Sequence, residues 1–499
     1  MAGGNAEDEP APRTPSPRGA AGAAAGLLLS GARLTDGREV DVRIAQGRIQ
    51  AVGTARSLSA REETGGPGAA GAAAGLGAES AEAVGGGGYE RVDLRGYLLL
   101  PAPVEAHSHL EAAFGAEAGG DLCGGTGDAG PAGPEARARE MRETQRRLVE
   151  GALTTLGYGA AEQRTHVGIG GLGGLSGFEA AMAAGEALRG LVELQTVACP
   201  RLLTGRAGAD GRAQLREAVK AGAYAVGGCP ELDPDPAGFV DELAAVAAEF
   251  GCAVDLHTDG ADPVRLARTA VALGPLRPRV AVGPLGRLAR TGREAREAPG
   301  GMPLAAAQLG AHGVAVVWLP QGGSCVGDRG PGGGTGRTGR RAEAAAGWSA
   351  SGVRMLADAG VRVAAGSGGL RDAANPVGSA DPLRSAFALA AGGGLAPEAA
   401  YAAVSGAARR LLGLDEVLVE AGYPAELLAV RGESLAEALS AGHSRVVVHG
   451  GRVVSRTSAV REFADPGPGP DTGPGRGSDG RPGGAGAGSS AVPRQGGAR

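Results

Sequence analysis

The sequence contains few of the residues that define several large classes of protein. Aromatic residues make up only 3% of the 499 positions, and Lys220 is the single lysine. The five cysteines show no C-x-x-C spacing, which argues against a disulfide framework and a structural zinc knuckle. Acidic and basic residues are scattered and give a formal net charge of -5, so the sequence has neither a nucleic-acid-binding surface nor an acidic tail.

Long apolar runs are also missing near the start of the chain. The only early run, residues 27–29, is far too short for a signal peptide or a membrane-spanning helix. Together with the cysteine usage, this predicts a cytoplasmic protein that has neither a membrane nor a nucleic acid as its partner.

Glycine and proline are abundant instead, with 94 and 31 residues, while hydrophobic residues still reach 43%. Residues 1–25 and 464–499 are rich in Gly, Pro, Ala and Ser and nearly lack large apolar side chains, which predicts disordered tails. A Gly/Ala-rich stretch at 65–88 is interpreted as an insertion. The folded centre must build its core from Ala, Val and Leu.

Short strand patterns occur at both ends of this folded centre. Residues 27–52 alternate apolar and polar side chains around Asp36-Gly37 and Gln46-Gly47, and residues 445–455 repeat that texture. We therefore predict a small β-sandwich domain that residues 26–97 and 415–463 form together.

The intervening range, residues 98–414, alternates strand-length apolar runs with helical patterns. The runs are residues 98–109, 164–169, 192–200, 224–230, 252–257, 279–285, 314–320 and 362–367. Phe239, Leu243, Val246 and Phe250 form one apolar stripe of a helix between two of them. Eight such units predict an α/β fold, a (β/α)8 TIM-type barrel whose chemistry lies at the C-terminal strand ends.

Three of the seven histidines stand at predicted strand ends, namely His107, His109 and His257. Residues two apart on a strand point the same way, so His107 and His109 can reach one metal ion, and a third histidine completes a three-nitrogen set. The alternative for an H-x-H pair is chance or a hydrogen-bonded pair. The apolar strand before the pair and the third histidine favour the metal site.

The segments around these histidines resemble the amidohydrolase superfamily, in its cytosine-deaminase-like branch. P-A-P-V-E-A-H-S-H-L (101–110) is similar to the first-strand motif of that branch. R-T-H-V (164–167), V-E-L-Q-T-V-A-C-P (192–200) and V-D-L-H-T-D (254–259) resemble its second-, third- and fifth-strand segments in order, and Asp372 with Asn375-Pro376 resembles the segment after its eighth strand. The resemblance covers about residues 27–460 and implies the same barrel and terminal sandwich.

The resemblance also implies roles for individual residues. His107, His109 and His257 would bind one divalent metal ion, zinc or iron, and Gln195 would hold the edge of a pyrimidine-like ring. The alternative for Gln195 is a polar residue that caps a strand end, and both interpretations stay open. We interpret His166, within R-T-H-V, as a core histidine.

Three positions depart from the family pattern. Where the family has a proton-shuttling Glu after the fifth strand, a sixth-strand His and a metal-binding eighth-strand Asp, this chain has Gly260, Pro284 and Gly368. None of these can move a proton or bind a metal through its side chain. Nearby carboxylates that could substitute are Asp259, Asp262, Asp372 and Glu111; the alternative is that all four are solvated loop acids.

Two functions therefore remain open at the level of sequence. The first is metal-dependent hydrolysis of a non-peptide carbon-nitrogen bond in a small cyclic amide or amidine, with no catalytic residue assigned. The second is a catalytically silent relative that serves as a binding or partner protein. A small molecule is the expected partner in the first case, and a homo-oligomer is compatible with both.

Overall fold

The computed structural model describes residues 26–58, 89–116, 133–276, 279–286, 301–322, 350–392, 394–460 and 462. The predicted tails, 1–25 and 464–499, and the predicted insertion, 65–88, lie outside the described residues. One compact unit runs to Ser458, and of the unit that follows only residues 459, 460 and 462 are described.

A parallel sheet of eight strands forms the barrel. Its strands are β6 (Glu105–Ser108), β7 (Glu162–Ile169), β8 (Glu193–Pro200), β9 (Ala225–Gly228), β10 (Ala253–Thr258), β11 (Val280–Pro284), β12 (Ala315–Trp318) and β13 (Val363–Ala365). Each pairs with the next in sequence, and a parallel bridge between Ser108 and Gly368 joins the last strand to the first. The predicted TIM-type barrel is confirmed.

In the described part of the chain, seven α-helices separate these strands, three more follow the eighth strand, and the last lies between residues 431 and 445. They are α1 (Pro134–Gly157), α2 (Ser176–Ala187), α3 (Ala209–Lys220), α4 (Pro236–Phe250), α5 (Pro263–Leu273), α6 (Gly301–Ala311), α7 (Ala350–Asp358), α8 (Pro382–Ala391), α9 (Pro397–Val404), α10 (Gly406–Leu412) and α11 (Leu435–Ala441). Among the described residues, no helix is long and apolar enough to cross a bilayer.

Helix α4 shows why such segments are helical. Asp235 caps its start by accepting a hydrogen bond from the Gly238 amide at 3.0 Å, and Pro236 stands at the first helical position, where its missing N–H costs nothing. Gly251 ends the helix in the left-handed region at φ 63°. The predicted stripe is confirmed, because Phe239 and its companions bury one face of this helix against the barrel.

A second sheet of eight strands stands beside the barrel and is built from both ends of the folded chain. Its strands are β1 (Gly26–Arg33), β2 (Glu39–Ala45), β3 (Arg48–Thr54), β4 (Tyr89–Asp93), β5 (Tyr97–Pro101), β14 (Leu427–Arg431), β15 (Arg445–His449) and β16 (Arg452–Thr457). The link between the two ends is β5, which pairs antiparallel with β14 and parallel with β1. The predicted joining of the chain ends is confirmed.

The first predicted barrel strand, residues 98–109, is wrong as a single element. It divides into β5, which belongs to the sheet domain, and β6, which opens the barrel. Pro103 lies between them, and a proline cannot donate a hydrogen bond to a strand ladder. The continuous apolar pattern arises because Leu98 and Leu100 of β5 pack into the barrel core, while Leu99 packs into the core of the sheet domain.

Candidate metal centre

Four histidine side chains meet inside the barrel. His107 lies on β6, His109 directly follows it, His166 lies on β7 and His257 lies on β10. Each is at most 3% exposed, and one ring nitrogen from each lies within 4.8 Å of one from every other. The structure thus brings the three sequence-predicted histidines together and adds His166.

Parallel pairing of β6 and β7 explains why these side chains meet. Ser108 is the register partner of Thr165, so the residues after each of them, His109 and His166, stand at the same level of the barrel. The backbone amide of Leu110 donates to Thr165 Oγ1 at 3.0 Å, which fixes the chain just beyond β6. Local hydrogen bonding therefore holds the first strand end in place next to β7.

The Nε2 atom of His257 is the centre of the cluster. It lies 2.8 Å from Nε2 of His107 and 3.1 Å from Nε2 of His109. A neutral imidazole carries one N–H, so the single Nε2 atom of His257 can satisfy only one of these contacts as a hydrogen bond. Nitrogen lone pairs converging in this way suit a cation, and ligands around one zinc ion at bond lengths near 2.1 Å stand roughly 3.4 Å apart.

The rings are also in the protonation state that metal binding requires. Burial lowers the pKa of His107 and His257 well below the usual value, and the neighbouring imidazoles lower it further. Burial, followed by His109 and Arg164, lowers the pKa of His166 in the same direction. These three imidazoles are thus neutral near pH 7 with lone pairs available, so the cluster fits a divalent transition-metal ion.

Asp255 lies behind two of the rings. Its Oδ1 atom is 3.4 Å from Nε2 of His166 and 4.0 Å from Nδ1 of His107, and Oδ1 has no hydrogen-bond partner. Its other oxygen accepts a hydrogen bond from Arg164 at 2.9 Å. A carboxylate in this position can orient ligand imidazoles and set which ring nitrogen carries the proton.

Glu105 fixes the backbone of β6 beside the site. Its Oε1 atom accepts hydrogen bonds from the amides of His107 at 3.0 Å and Ser367 at 2.9 Å, and so ties the first strand to the end of the eighth. Burial raises the pKa of this carboxyl group to about 7, although both amide bonds favour the charged form. Glu105 therefore holds in place the strand that carries His107.

The structure does not place Gln195 at the rim where a substrate edge would lie. Gln195 is the third residue of the eight-residue strand β8, near its N-terminal end. Its side-chain oxygen accepts hydrogen bonds from Arg164 at 2.9 and 3.2 Å, and its amide nitrogen donates to the carbonyl oxygen of Leu412 at 2.9 Å. These contacts favour the structural interpretation of Gln195, while the substrate-binding role stays a prediction.

The three positions that depart from the family pattern stand at strand ends around the cluster. Pro284 closes β11, and Gly260 and Gly368 come after β10 and β13. Gly260 and Gly368 have φ values of 69° and 78°, in the left-handed region that L-amino acids with a side chain rarely adopt. At these two positions the backbone itself favours glycine over the carboxylates of the family.

The four candidate substitute acids separate into two pairs. Asp262 caps α5 by accepting from the amides of Val264 and Arg265, and Asp259 accepts from the amide of Ala261 in a tight turn. These contacts give Asp262 and Asp259 local structural roles.

Glu111 and Asp372 lie closer to the histidines. Glu111 Oε1 is 3.8 Å from Nδ1 of His109, and one oxygen each of Glu111 and Asp372 is buried without a hydrogen-bond partner. Burial raises the pKa of both carboxyl groups; the contact with His109 partly offsets that shift at Glu111, and the hydrogen bond from the Asn375 amide partly offsets it at Asp372.

His166 is the residue that sequence reasoning missed, since its segment suggested only a core histidine. Two features could have identified it. Side chains alternate between the two faces of β7, so Arg164 and His166 share a face, and β7 is the neighbour of β6 in the barrel. A residue on the inner face of a strand adjacent to H-x-H lies beside that pair.

No family model matches the chain, and no curated protein does so either. Among solved structures, the chain is similar to N-isopropylammelide isopropylaminohydrolase from Burkholderia multivorans, at 24% identity and a TM-score of 0.61, with 87% of this chain and 99% of that chain covered. It is similar to 5-methylcytosine deaminase from Klebsiella pneumoniae, at 20% identity and a TM-score of 0.61, with 88% of this chain and 100% of that chain covered. It is also similar to a triazine hydrolase variant, at 16% identity and a TM-score of 0.54, with 87% of this chain and 95% of that chain covered.

These structures share one architecture with the described chain. At identities of 24% or less, they confirm the barrel fold that the sequence predicts. A shared barrel does not by itself assign a reaction, so the function depends on the chemistry of the site.

Proposed function

We propose that this protein is a metal-dependent hydrolase of the amidohydrolase superfamily that acts on a non-peptide carbon-nitrogen bond of a small cyclic amide or amidine. The observation that carries the proposal is the convergence of the Nε2 atoms of His107, His109 and His257 inside the barrel. The enzymes with similar structures are named for ring compounds of this kind, namely N-isopropylammelide, 5-methylcytosine and a triazine.

The chain's own residues define what the site can do. A bound divalent ion would supply Lewis acidity and lower the pKa of water. His107, His109 and His257 would hold that ion, and Asp255 Oδ1 lies behind His107, 4.0 Å from its Nδ1. Glu111, whose Oε1 lies 3.8 Å from Nδ1 of His109, and Asp372, whose Oδ2 is buried without a hydrogen-bond partner, are the carboxylates that would accept or return a proton.

We expect turnover to be slow. The acid, histidine and carboxylate that the family uses at three strand ends are replaced by Gly260, Pro284 and Gly368. Each proton-transfer group typically contributes about 10²- to 10⁴-fold in rate, so a substitute that is less well placed costs orders of magnitude.

The same three positions favour a second candidate function. A relative that has lost its proton-transfer groups but keeps buried histidines is a catalytically silent protein that binds a metal and a small molecule or a partner. Turnover separates this candidate from the hydrolase.

The test begins with elemental analysis of protein purified without chelators or a histidine tag. We expect about one zinc or iron per chain, followed by metal-dependent release of ammonia or an amine from cytosine, 5-methylcytosine or N-alkylated aminotriazines. Glu111→Gln and Asp372→Asn identify the substitute acid, with Asp262→Asn as the control because Asp262 caps α5. Metal without turnover on any of these compounds would support the silent relative, and absence of metal would refute both functions.

A further inference from the structure

The end of the eighth strand provides no carboxylate to complete the metal site. Gly366, Gly368 and Gly369 surround this strand end, and the Gly368 amide donates to the carbonyl oxygen of His107 at 3.0 Å. The left-handed backbone at Gly368 disfavours a side chain there. A fourth protein ligand for the ion held by His107, His109 and His257 would have to come from another position in the site.

His166 meets the geometric requirement. Its ring centroid lies 3.9 Å from that of His107, 4.5 Å from that of His257 and 5.5 Å from that of His109. It belongs to the set of ring nitrogens that lie within 4.8 Å of one another. Nitrogen ligands of one zinc ion stand roughly 3.4 Å apart, so a small inward movement of the side chains would bring these nitrogens to that distance.

The chemistry of His166 also points to a ligand. The side chain is only 1% exposed, and both ring nitrogens are buried without a hydrogen-bond partner. A satisfied core histidine would have found one, since nearly all buried polar groups do. Asp255 Oδ1 lies 3.4 Å from Nε2 of His166, so one ring nitrogen can give its proton toward that carboxylate while the other binds the ion.

We infer that His166 is the fourth ligand of the metal site. It would take the coordination position that an eighth-strand carboxylate fills in the family and that Gly368 leaves without a ligand here. The inference rests on the metal-binding part of the proposed function and not on turnover. Four neutral imidazoles leave the ion its full charge and favour zinc, iron, copper or nickel over magnesium and calcium. Four protein ligands fill a tetrahedral site, so the hydrolase would have to bind its water at a fifth position, as catalytic zinc sites can do.

The experiment counts nitrogen ligands directly. X-ray absorption of the zinc-loaded full chain should show four imidazole nitrogens in the wild type. His166→Gly should show three nitrogens and one oxygen from solvent, and millimolar imidazole should refill the space and restore four. The zinc Kd of His166→Gly should rise beyond the roughly 10- to 100-fold that loss of a residue behind a metal ligand costs.

His312→Gly is the matched control, since it also removes a partly buried imidazole, at the end of α6. It should leave the zinc Kd and the absorption spectrum unchanged. Should His166→Gly fail to fold, the wild-type nitrogen count alone decides the question.

Three results would overturn the inference: three nitrogens and an oxygen around zinc in the wild type, an unchanged zinc Kd in His166→Gly, or a wild type that binds no metal. The last of these would refute the proposed function as well. Four nitrogens with no turnover would uphold the inference and refute the hydrolase. Turnover with three nitrogens would do the reverse.

Discussion

His449 in the sheet domain and the four barrel histidines are all buried, yet they lie in opposite environments. His449 Nδ1 pairs with Glu426 Oε2 at 2.5 Å. Burial tends to lower the pKa of His449, but this hydrogen bond and the charges of Glu426 and Glu162 outweigh burial and raise it. In the barrel, burial lowers the pKa of His107, and its neighbours are other imidazoles. One environment stabilises a charged histidine within the fold, and the other presents neutral nitrogen to a ligand.

The same contrast extends to other buried polar groups. Arg445 makes two hydrogen bonds of 2.8 Å to the carboxylate of Asp381, which leaves both groups satisfied. Among the residues that the structure describes, most buried atoms without a hydrogen-bond partner lie around the histidine cluster, among them Glu105 Oε2, His107 Nδ1, Asp255 Oδ1, Ser367 Oγ and Asp372 Oδ2, whereas Asp41 Oδ2, Arg43 Nε, Gln163 Oε1 and Gln214 Oε1 lie elsewhere. Most buried polar groups in a folded protein are paired, so a concentration of unsatisfied groups in one place indicates a functional site.

Replacing Arg164, which pairs with the carboxylate behind the histidine cluster, has the largest expected effect. It tests whether a paired group of the fold also supports the metal site. Arg164→Met leaves the Asp255 carboxylate buried without its cationic partner, which should lower the free energy of unfolding by about 3–5 kcal/mol. Because Asp255 stands behind two imidazoles, zinc affinity should also fall by about 10- to 100-fold. Denaturant unfolding and zinc titration measure the two effects.

Arg445→Met is the matched control for this change, because it breaks a buried ion pair in which both side chains are less than a tenth exposed. It should cost similar stability but leave zinc affinity unchanged. Equal losses of zinc affinity in the two variants would mean that Asp255 has no particular role at the metal site.

Replacing Gln195 has a smaller expected effect and separates its two interpretations. Gln195→Ala leaves the carbonyl oxygen of Leu412 and part of the Arg164 guanidinium without partners, which should cost about 1–3 kcal/mol of stability. Zinc affinity and the KM of any substrate should stay the same. A raised KM with unchanged stability would instead establish the substrate-binding role.

The sequence predicted most of the barrel because its strands are apolar, short and regularly spaced. Only the first strand was misjudged, since β5 packs on two cores at once and its apolar run continues almost to β6. Periodicity reports that a residue is buried and does not report which of two domains buries it. The pairing of β5 with β14, from the opposite end of the folded chain, is a property of the tertiary structure.

The candidate site was predicted less completely. His107, His109 and His257 were identified because their spacing and strand-end positions carry a signal in one dimension. The position of His166 depends on the parallel register between β6 and β7, which no local pattern specifies. Likewise, the left-handed backbone at Gly260 becomes visible only in three dimensions, although it explains why a carboxylate restored there would be strained.

The pH dependence of stability should show the smallest effect and sharpens the comparison between the two histidine environments. His449 has a raised pKa, so its ion pair with Glu426 contributes fully below the unfolded-state pKa of about 6.5 and is lost as pH rises through the folded-state value. His449→Gln should therefore be less stable than the wild type in mild acid and should approach it in alkaline solution. The metal-free barrel histidines act with the opposite sign, because their lowered pKa values make stability fall as pH drops below about 6.5. Urea unfolding of both proteins across this range, with the exposed His443→Gln as a control, measures the difference. A stability difference that did not change with pH would show that the bond between His449 and Glu426 is a neutral one.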